Sequence, residues 1–211
     1  MLEIESLSVH FKDNAVLNKI NLQIKAGQVI GLLGRNGAGK TTLFETLYGN
    51  HLFNGSITFN DLKLKRKDIA YLETESYFYP FITGEEYLGY FNNDQNQISE
   101  LQETFQLPLK KYAHQYSTGM KKKLALMGTL LLDKPLMILD EPFNGLDYEA
   151  VHLLYSIIEQ LKTQQKTIII SSHIIETLFR TCDYIAILEH GEINRIYKQT
   201  DFLQLQQFAF K

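Results

Sequence analysis

The chain opens on alternation. In "LEIESLSVHF", and again in "VLNKINLQI", apolar side chains recur at close to every second position, the period of a half-buried strand. "KDN" between them reads as a turn, so this segment predicts an antiparallel sheet at one edge of the molecule. Gln28–Leu33 follows as a short apolar strand that runs straight into a glycine loop. Lys40–Tyr48 then reads as a helix, closed by Gly49 at its C-terminus. A second strand pair, with "SITF" in its first arm, is expected to turn at Asn60-Asp61. From about Ile82 to Leu132 the texture changes to Glu, Gln, Leu and Lys with few β-branched runs, which predicts a helical insert. Four compact apolar runs come after it: "LMILD", "TIIISSH", "YIAILE" and "EINRIY". A helical stretch, Tyr148–Gln164, separates the first two. Strands alternating with helices predict right-handed crossovers and a mostly parallel sheet. "LEHGEINRI" reads as a closing hairpin with Gly191 in its turn. The last segment, "FLQLQQFAF", is expected either to pack as a terminal helix on the core or to meet a partner. There is no internal repeat and no low-complexity linker.

Composition narrows the class without naming it. A length of 211 residues fits one domain, or one domain carrying a subdomain, and 45% apolar residues with 21% charged ones suit a packed core. The net charge of −3 gives no electrostatic footprint for nucleic acid, so no nucleic-acid partner is expected. The single cysteine, Cys182, cannot form an internal disulfide and reads as a small buried side chain, which suits a reducing compartment. "MLEIESLSVH" mixes acids with alternation and lacks the basic-then-apolar pattern of a signal peptide. The longest apolar stretches, such as Leu124–Leu132, fall far short of the ~20 residues of a membrane span. Any membrane role is therefore expected to pass through a partner.

The glycine loop changes that picture. "GLLGRNGAGKTT" fits G-x-x-x-x-G-K-[ST] at Gly34, Gly39, Lys40 and Thr41, after a predicted strand and at the start of a predicted helix. Glycines allow a tight turn in which successive N–H groups face one concavity, an anion nest at a helix N-terminus. Lys40 brings a point charge for the β- and γ-phosphates, and the Thr41 hydroxyl can ligate Mg²⁺. Asn36, Gly37, Ala38 and Thr42 complete the candidate phosphate-binding set. By chance such a pattern would arise in roughly one chain in a hundred of this length, given ordinary glycine usage. "LMILDEP" supplies a second half: an apolar parallel strand ending in Asp140, placed to hold the metal through water, followed by Glu141. One residue's shift at a strand end separates their roles, with Asp140 on Mg²⁺ and Glu141 on the attacking water.

With these motifs in hand, the chain resembles the nucleotide-binding subunit of an ATP-binding-cassette (ABC) transporter along essentially its whole length. The family's signature, usually Leu-Ser-Gly-Gly-Gln, corresponds to "YSTGM", Tyr116–Met120. The resemblance implies that Ser117 and Gly119 serve the γ-phosphate held by the other subunit of a head-to-tail dimer. A hydroxyl, a glycine that permits close approach and a helix beginning near Met120 fit that task. Lys121–Lys123 either add positive potential there or form a solvated basic face. "SSH", Ser171–His173, matches the switch histidine, so His173 is implied to contact the γ-phosphate. "NGLD" matches the loop whose Asp147 couples the two sites, and Asp147 also reads as a helix N-cap. Phe11 falls where the family stacks an aromatic ring on adenine. One position departs: the glutamine expected at or near Thr74 is replaced by "YLETES", with Glu73, Thr74 and Glu75, which puts the metal-sensing role of that loop in doubt. The "YSTGM" form is similar to cassettes of exporter-like systems with separate membrane subunits.

The expected fold is α/β: a P-loop NTPase core with a mostly parallel sheet, an N-terminal antiparallel β subdomain and an inserted helical subdomain at about 80–130, all in one ABC-type domain over 1–211. The resemblance implies ATP and Mg²⁺ as cofactors and ATP hydrolysis that powers transport, in the direction of export. It also implies a polytopic membrane subunit and a second ATP-binding subunit as partners, with the chain peripheral on the cytoplasmic face. Other classes fit less well. A chromosome-type ATPase needs a long coiled-coil insert, a translation-associated cassette protein needs two cassettes and a basic surface, and a phosphate-loop kinase leaves "YSTGM", "DEP" and "SSH" unexplained. A regulatory cassette with weak hydrolysis is the alternative that the missing glutamine keeps open.

Overall fold

In the computed structural model, residues 1–12 and 14–209 are described, with side chains to 205. Two sheets share the work of burying the apolar runs. The first is antiparallel, in the order β2-β1-β4-β5, from Leu2–Phe11 (β1), Asn14–Ile24 (β2), Asn54–Phe59 (β4) and Leu62–Lys63 (β5). Its β4–β5 turn sits at Asn60 and Asp61, both in the left-handed region that a tight hairpin turn requires. The second sheet has six strands in the order β10-β9-β3-β8-β7-β6. Val29–Leu33 (β3), Ile69–Leu72 (β6), Leu136–Leu139 (β7), Thr167–Ser172 (β8) and Tyr184–Glu189 (β9) run parallel, and only Glu192–Lys198 (β10) is antiparallel to its neighbour.

These strands read as continuous apolar runs because both faces of the sheet are covered, as parallel sheets generally are. Their odd and even positions divide between two cores. Ile138, Ile169, Ile30 and Leu32 face the antiparallel sheet and helix α1 (Lys40–Leu47), which contributes Leu43, Phe44 and Leu47. Met137, Leu139, Ile168 and Ile170 face the helical side, where Leu124, Met127, Leu154 and Leu178 pack. Those side chains come from α4 (Thr118–Leu131), α5 (Tyr148–Thr163) and α6 (Ile175–Thr181). The segment expected to be a helical insert holds α2 (Gly84–Gly89), α3 (Gln95–Phe105) and α4. The last helix, α7 (Phe202–Ala209), docks through buried Phe202 and Leu205, with Phe202 stacked on Phe179 at 5.0 Å. Among the described residues no helix is long and apolar enough to cross a membrane.

Parallel strands end at one edge, so their C-terminal loops converge there. Leu33 pairs with Ser172 and Leu139 with Ile170, and the Asp140 N–H donates to the Leu72 carbonyl at 2.9 Å. The loops that begin at Gly34, Glu73, Asp140 and His173 are thereby brought to a single rim.

Candidate functional site

The glycine loop is squeezed between two strands. A Cβ on Gly34 would stand 2.5 Å from the Leu188 carbonyl of β9, and one on Gly39 would stand 2.8 Å from the Leu17 side chain of β2. Glycine is required at Gly34 by close approach to backbone, and at Gly39 by its φ of 106°. Gly37, also at positive φ, faces open space. Gly39 is the N-cap of α1 and has no side chain to cap the first-turn N–H groups, which an α-helix leaves without intrahelical partners. The Lys40 side chain is buried, and its ammonium donates to the Gly34 carbonyl at 2.7 Å and weakly to Arg35 at 3.4 Å. The outcome is a loop of backbone donors with a cation folded over it.

The acids at the end of β7 meet this loop directly. Asp140 lies on the face of the sheet that Ile138 and Ile169 share, the side on which α1 packs. Its Oδ2 accepts the Thr41 hydroxyl at 2.8 Å, and its Oδ1 accepts the Ser171 hydroxyl at 2.5 Å. The Ser171 Oγ in turn accepts the Glu141 N–H at 2.8 Å. Glu141 has a φ of 47°, a conformation that costs a non-glycine residue about 1–2 kcal/mol and turns the chain out of the strand. Its carboxylate then reaches His173, with Oε2 and Nδ1 2.9 Å apart. Asp140 and Glu141 are both buried, whereas the His173 side chain is half exposed. One connected path, Thr41–Asp140–Ser171–Glu141–His173, joins three separate segments. Ser171 had no assigned role in the sequence reading. Its signal was parity: two residues beyond Ile169, it must face the same way as Asp140 does from Ile138.

Ser117 is the N-cap of α4, and its Oγ accepts the Met120 N–H at 3.2 Å. The helix therefore starts at Thr118, two residues before the expected Met120, because the cap hydroxyl fixes its first turn. Ser117 and Thr118 are exposed, so this helix start faces outward. Gly119 has a second constraint: a Cβ there would lie 2.8 Å from the Gly145 carbonyl, so the two loops touch backbone to backbone within one chain. Asp147 caps α5 by accepting the Ala150 N–H at 2.8 Å, and the Lys123 ammonium stands 3.4 Å from its other oxygen. The Ala150 N–H first, and Lys123 after it, hold the Asp147 carboxyl below its usual range. The expected solvated lysine face is not there. Lys121 and Lys123 are half buried and Lys122 is buried, because α4 lies against β6 and the loop after it rather than on open surface.

Phe11 and the side chains of Glu73, Thr74 and Glu75 take no part in this hydrogen-bonded path. Phe11, 45% exposed, meets His51 edge-on with ring centroids 5.0 Å apart, and His51 Nε2 lies 2.7 Å from Glu45 of α1. Glu73, Thr74 and Glu75 are exposed at the rim. Burial first, and then the charges of Asp140, Glu45 and Glu73, push the Tyr71 phenol well above its usual range. Burial and Glu73 push Tyr87 up to about 12.

Comparison with known proteins places this geometry in a family. The ABC transporter family model matches residues 17–144, a span that includes the glycine loop and the Asp140–Glu141 pair. The chain is 35% identical over 217 residues to AlbC of Bacillus subtilis (strain 168), which carries the name of an ABC transporter ATP-binding protein; the match covers 93% of this chain and 91% of AlbC. It is 33% identical over 206 residues to the lantibiotic transport ATP-binding protein SrtF of Streptococcus pyogenes, covering 92% and 89% of the two chains. The solved structure of an ATP-binding subunit of an ABC transporter superposes with a TM-score of 0.88 at 29% identity, over 99% of this chain and 94% of that one. A dimeric ATP-binding cassette in a post-hydrolysis state, bound to ADP and Pi, shares the fold with a TM-score of 0.84 at 19% identity, over 94% and 99% of the chains. The chain belongs to the ABC transporter family, as an ATP-binding subunit.

Proposed function

We propose that the chain binds ATP and Mg²⁺ on Gly34–Thr42 and hydrolyses the nucleotide with Glu141 as general base. The observation that carries this reading is the unbroken hydrogen-bonded path from Thr41 through Asp140 and Ser171 to Glu141 and His173. Backbone N–H groups of the loop, with Gly34, Asn36, Gly37, Ala38, Gly39 and Thr42, receive the phosphates, and Lys40 neutralises them. The Thr41 hydroxyl and the Asp140 carboxylate are hard oxygen donors 2.8 Å apart, a fit for Mg²⁺, with Asp140 acting through water. Held there, Mg²⁺ would supply Lewis acidity to the phosphates. Glu141 takes the proton of the attacking water, and His173 orients that carboxylate from one side while presenting its other ring nitrogen toward the γ-phosphate. Phe11 stacks on the adenine.

A second ATP-binding subunit completes each site from outside. The exposed start of α4, with Ser117 and Gly119, is suited to another chain's γ-phosphate, and the Gly119–Gly145 contact ties it to Asp147, which reaches across the pair. A polytopic membrane subunit is the remaining partner. Exposed Tyr77, Tyr79 and Phe81 stand beside the Glu73–Glu75 loop, and Phe81 packs with Tyr112 and His114. A cluster of exposed rings of this kind marks a docking surface. In that assembly the chain is peripheral on the cytoplasmic face, and export is the direction favoured by the "YSTGM" signature. The test is phosphate release from Mg²⁺-ATP. Lys40→Ala and Ser117→Arg chains are each expected to be inactive, and mixing them is expected to restore about one composite site per mixed dimer. Mixed dimers that form without recovering activity overturn the shared-site reading.

A further inference from the structure

Lys122 is the residue that nothing above explains. It lies in the second turn of α4, with only 7% of its surface exposed. Burying an ammonium carries a penalty of several kcal/mol unless partners replace its water. The partners here are main-chain oxygens: Nζ donates to the Thr74 carbonyl at 2.9 Å and to the Glu73 carbonyl at 3.4 Å. Both belong to the loop that follows β6, where the side chains of Glu73, Thr74 and Glu75 turn outward. The same ammonium lies in the field of the Asp140 and Glu141 carboxylates, whose charges favour its protonated form against the desolvation that lowers its pKa. Three functional segments thus converge on one side chain: the signature helix, the loop lacking a glutamine and the acidic strand end.

We propose that Lys122 is a positioning residue for ATP hydrolysis, clamping the Glu73–Thr74 backbone to the signature helix. The inference rests on the ATPase reading above. Its physical content is that the clamp runs from side chain to backbone, so it does not depend on which side chain the loop carries. When α4 shifts against a γ-phosphate, the loop is drawn with it through two charge-assisted hydrogen bonds.

Three variants and two readouts test this. Lys122→Met keeps the length and apolar stem but removes charge and donors, whereas Lys122→Arg keeps both charge and donors. Steady-state kinetics with Mg²⁺-ATP and amide hydrogen exchange over residues 73–79 are measured for each, beside wild type. Lys122→Met is expected to lower kcat about tenfold, the worth of a hydrogen bond to a charged group. Its KM should stay within about threefold of wild type, as expected when ground-state binding is untouched, and the 73–79 amides should exchange faster. Lys122→Arg should recover most of both properties. If Lys122→Met does not fold, Lys122→Leu, which also lacks charge and donors, replaces it with the same expectations. Wild-type kcat or wild-type loop exchange in the uncharged variant overturns the proposal, and so does an Arg variant as impaired as the Met one. If wild type itself releases no phosphate, the ATPase reading fails while the exchange measurement still decides the clamp.

Discussion

Glu141→Gln isolates the chemical step. Two contacts and its burial define this residue: its N–H to Ser171 Oγ at 2.8 Å, its side chain to His173 Nδ1 at 2.9 Å, and its place at the buried end of β7. The backbone bond is indifferent to the substitution. A glutamine carbonyl can still accept from a protonated Nδ1, so the orienting contact with His173 persists. The φ of 47° strains a glutamine no more than a glutamate. What disappears is the capacity to take a proton from water. A positioned general base is worth about 10²–10⁴ in rate, or roughly 3–5 kcal/mol of barrier at 1.36 kcal/mol per decade. The expected result is a loss of kcat in that range, nucleotide affinity within about threefold of wild type, and an ATP-dependent dimer that accumulates on a sizing column because closed sites no longer turn over. Phosphate release gives kcat, and fluorescent-nucleotide titration gives affinity. His173→Ala leaves the base in place but removes both its orienting partner and the ring nitrogen proposed to meet the γ-phosphate, so kcat and nucleotide affinity are both expected to fall. Near wild-type turnover in Glu141→Gln would refute the assignment. An equal loss of binding and turnover would show that Glu141 holds the nucleotide rather than the water.

Three further outcomes follow from single contacts. Ser117→Ala removes the oxygen that accepts the Met120 N–H at 3.2 Å, so α4 loses its cap at about 1 kcal/mol, and calorimetry should show Tm lower by about 2–4 °C; an unchanged Tm removes the capping role. Asp147 is held below its usual value of 3.8, chiefly by the Ala150 N–H, so its stabilisation is complete above that pH and fades as pH falls through the lowered folded value. Asp147→Asn, an equally good cap, should match wild type at pH 7 and lose less Tm between pH 4 and about 2; identical melting profiles at acid pH would sink this reading. The Cys182 thiol is fully buried and pushed up to about 12, so iodoacetamide at pH 8 should label it only after denaturation, as followed by intact mass. Rapid labelling of native protein would contradict its burial.

What could be read from the chain depended on how local the cause was. Strands β3, β7, β8 and β9 were visible because burial on both faces leaves an unbroken apolar run, and the left-handed turns at Asn60-Asp61 and Gly191 carry their own residue signature. The glycine loop announced itself because phosphate binding imposes fixed short spacings, all within Gly34–Thr42. Contacts made across the fold were legible only in part. Thr41 and Asp140 are 99 positions apart, and what joins them is the side of the sheet on which α1 packs, a property of strand parity and topology together. Ser171 followed from the same parity but needed the pairing of β8 beside β7 to give it a target. Lys122 could not be recognised as buried from "KKK", since its burial depends on the β6 loop, 48 residues upstream, folding over its ammonium. Gly119 shows the two kinds of cause on one atom. Its proposed role in the signature turns it outward to a phosphate, while the missing Cβ also lets the Gly145 carbonyl approach from within the chain. A side chain at 119 would therefore displace the loop leading to Asp147 as well as crowd any anion, so loss of activity in a Gly119 variant cannot by itself assign this glycine to phosphate binding. Ser117, exposed and free of that internal contact, separates the two effects, and the mixing experiment accordingly places its substitution there.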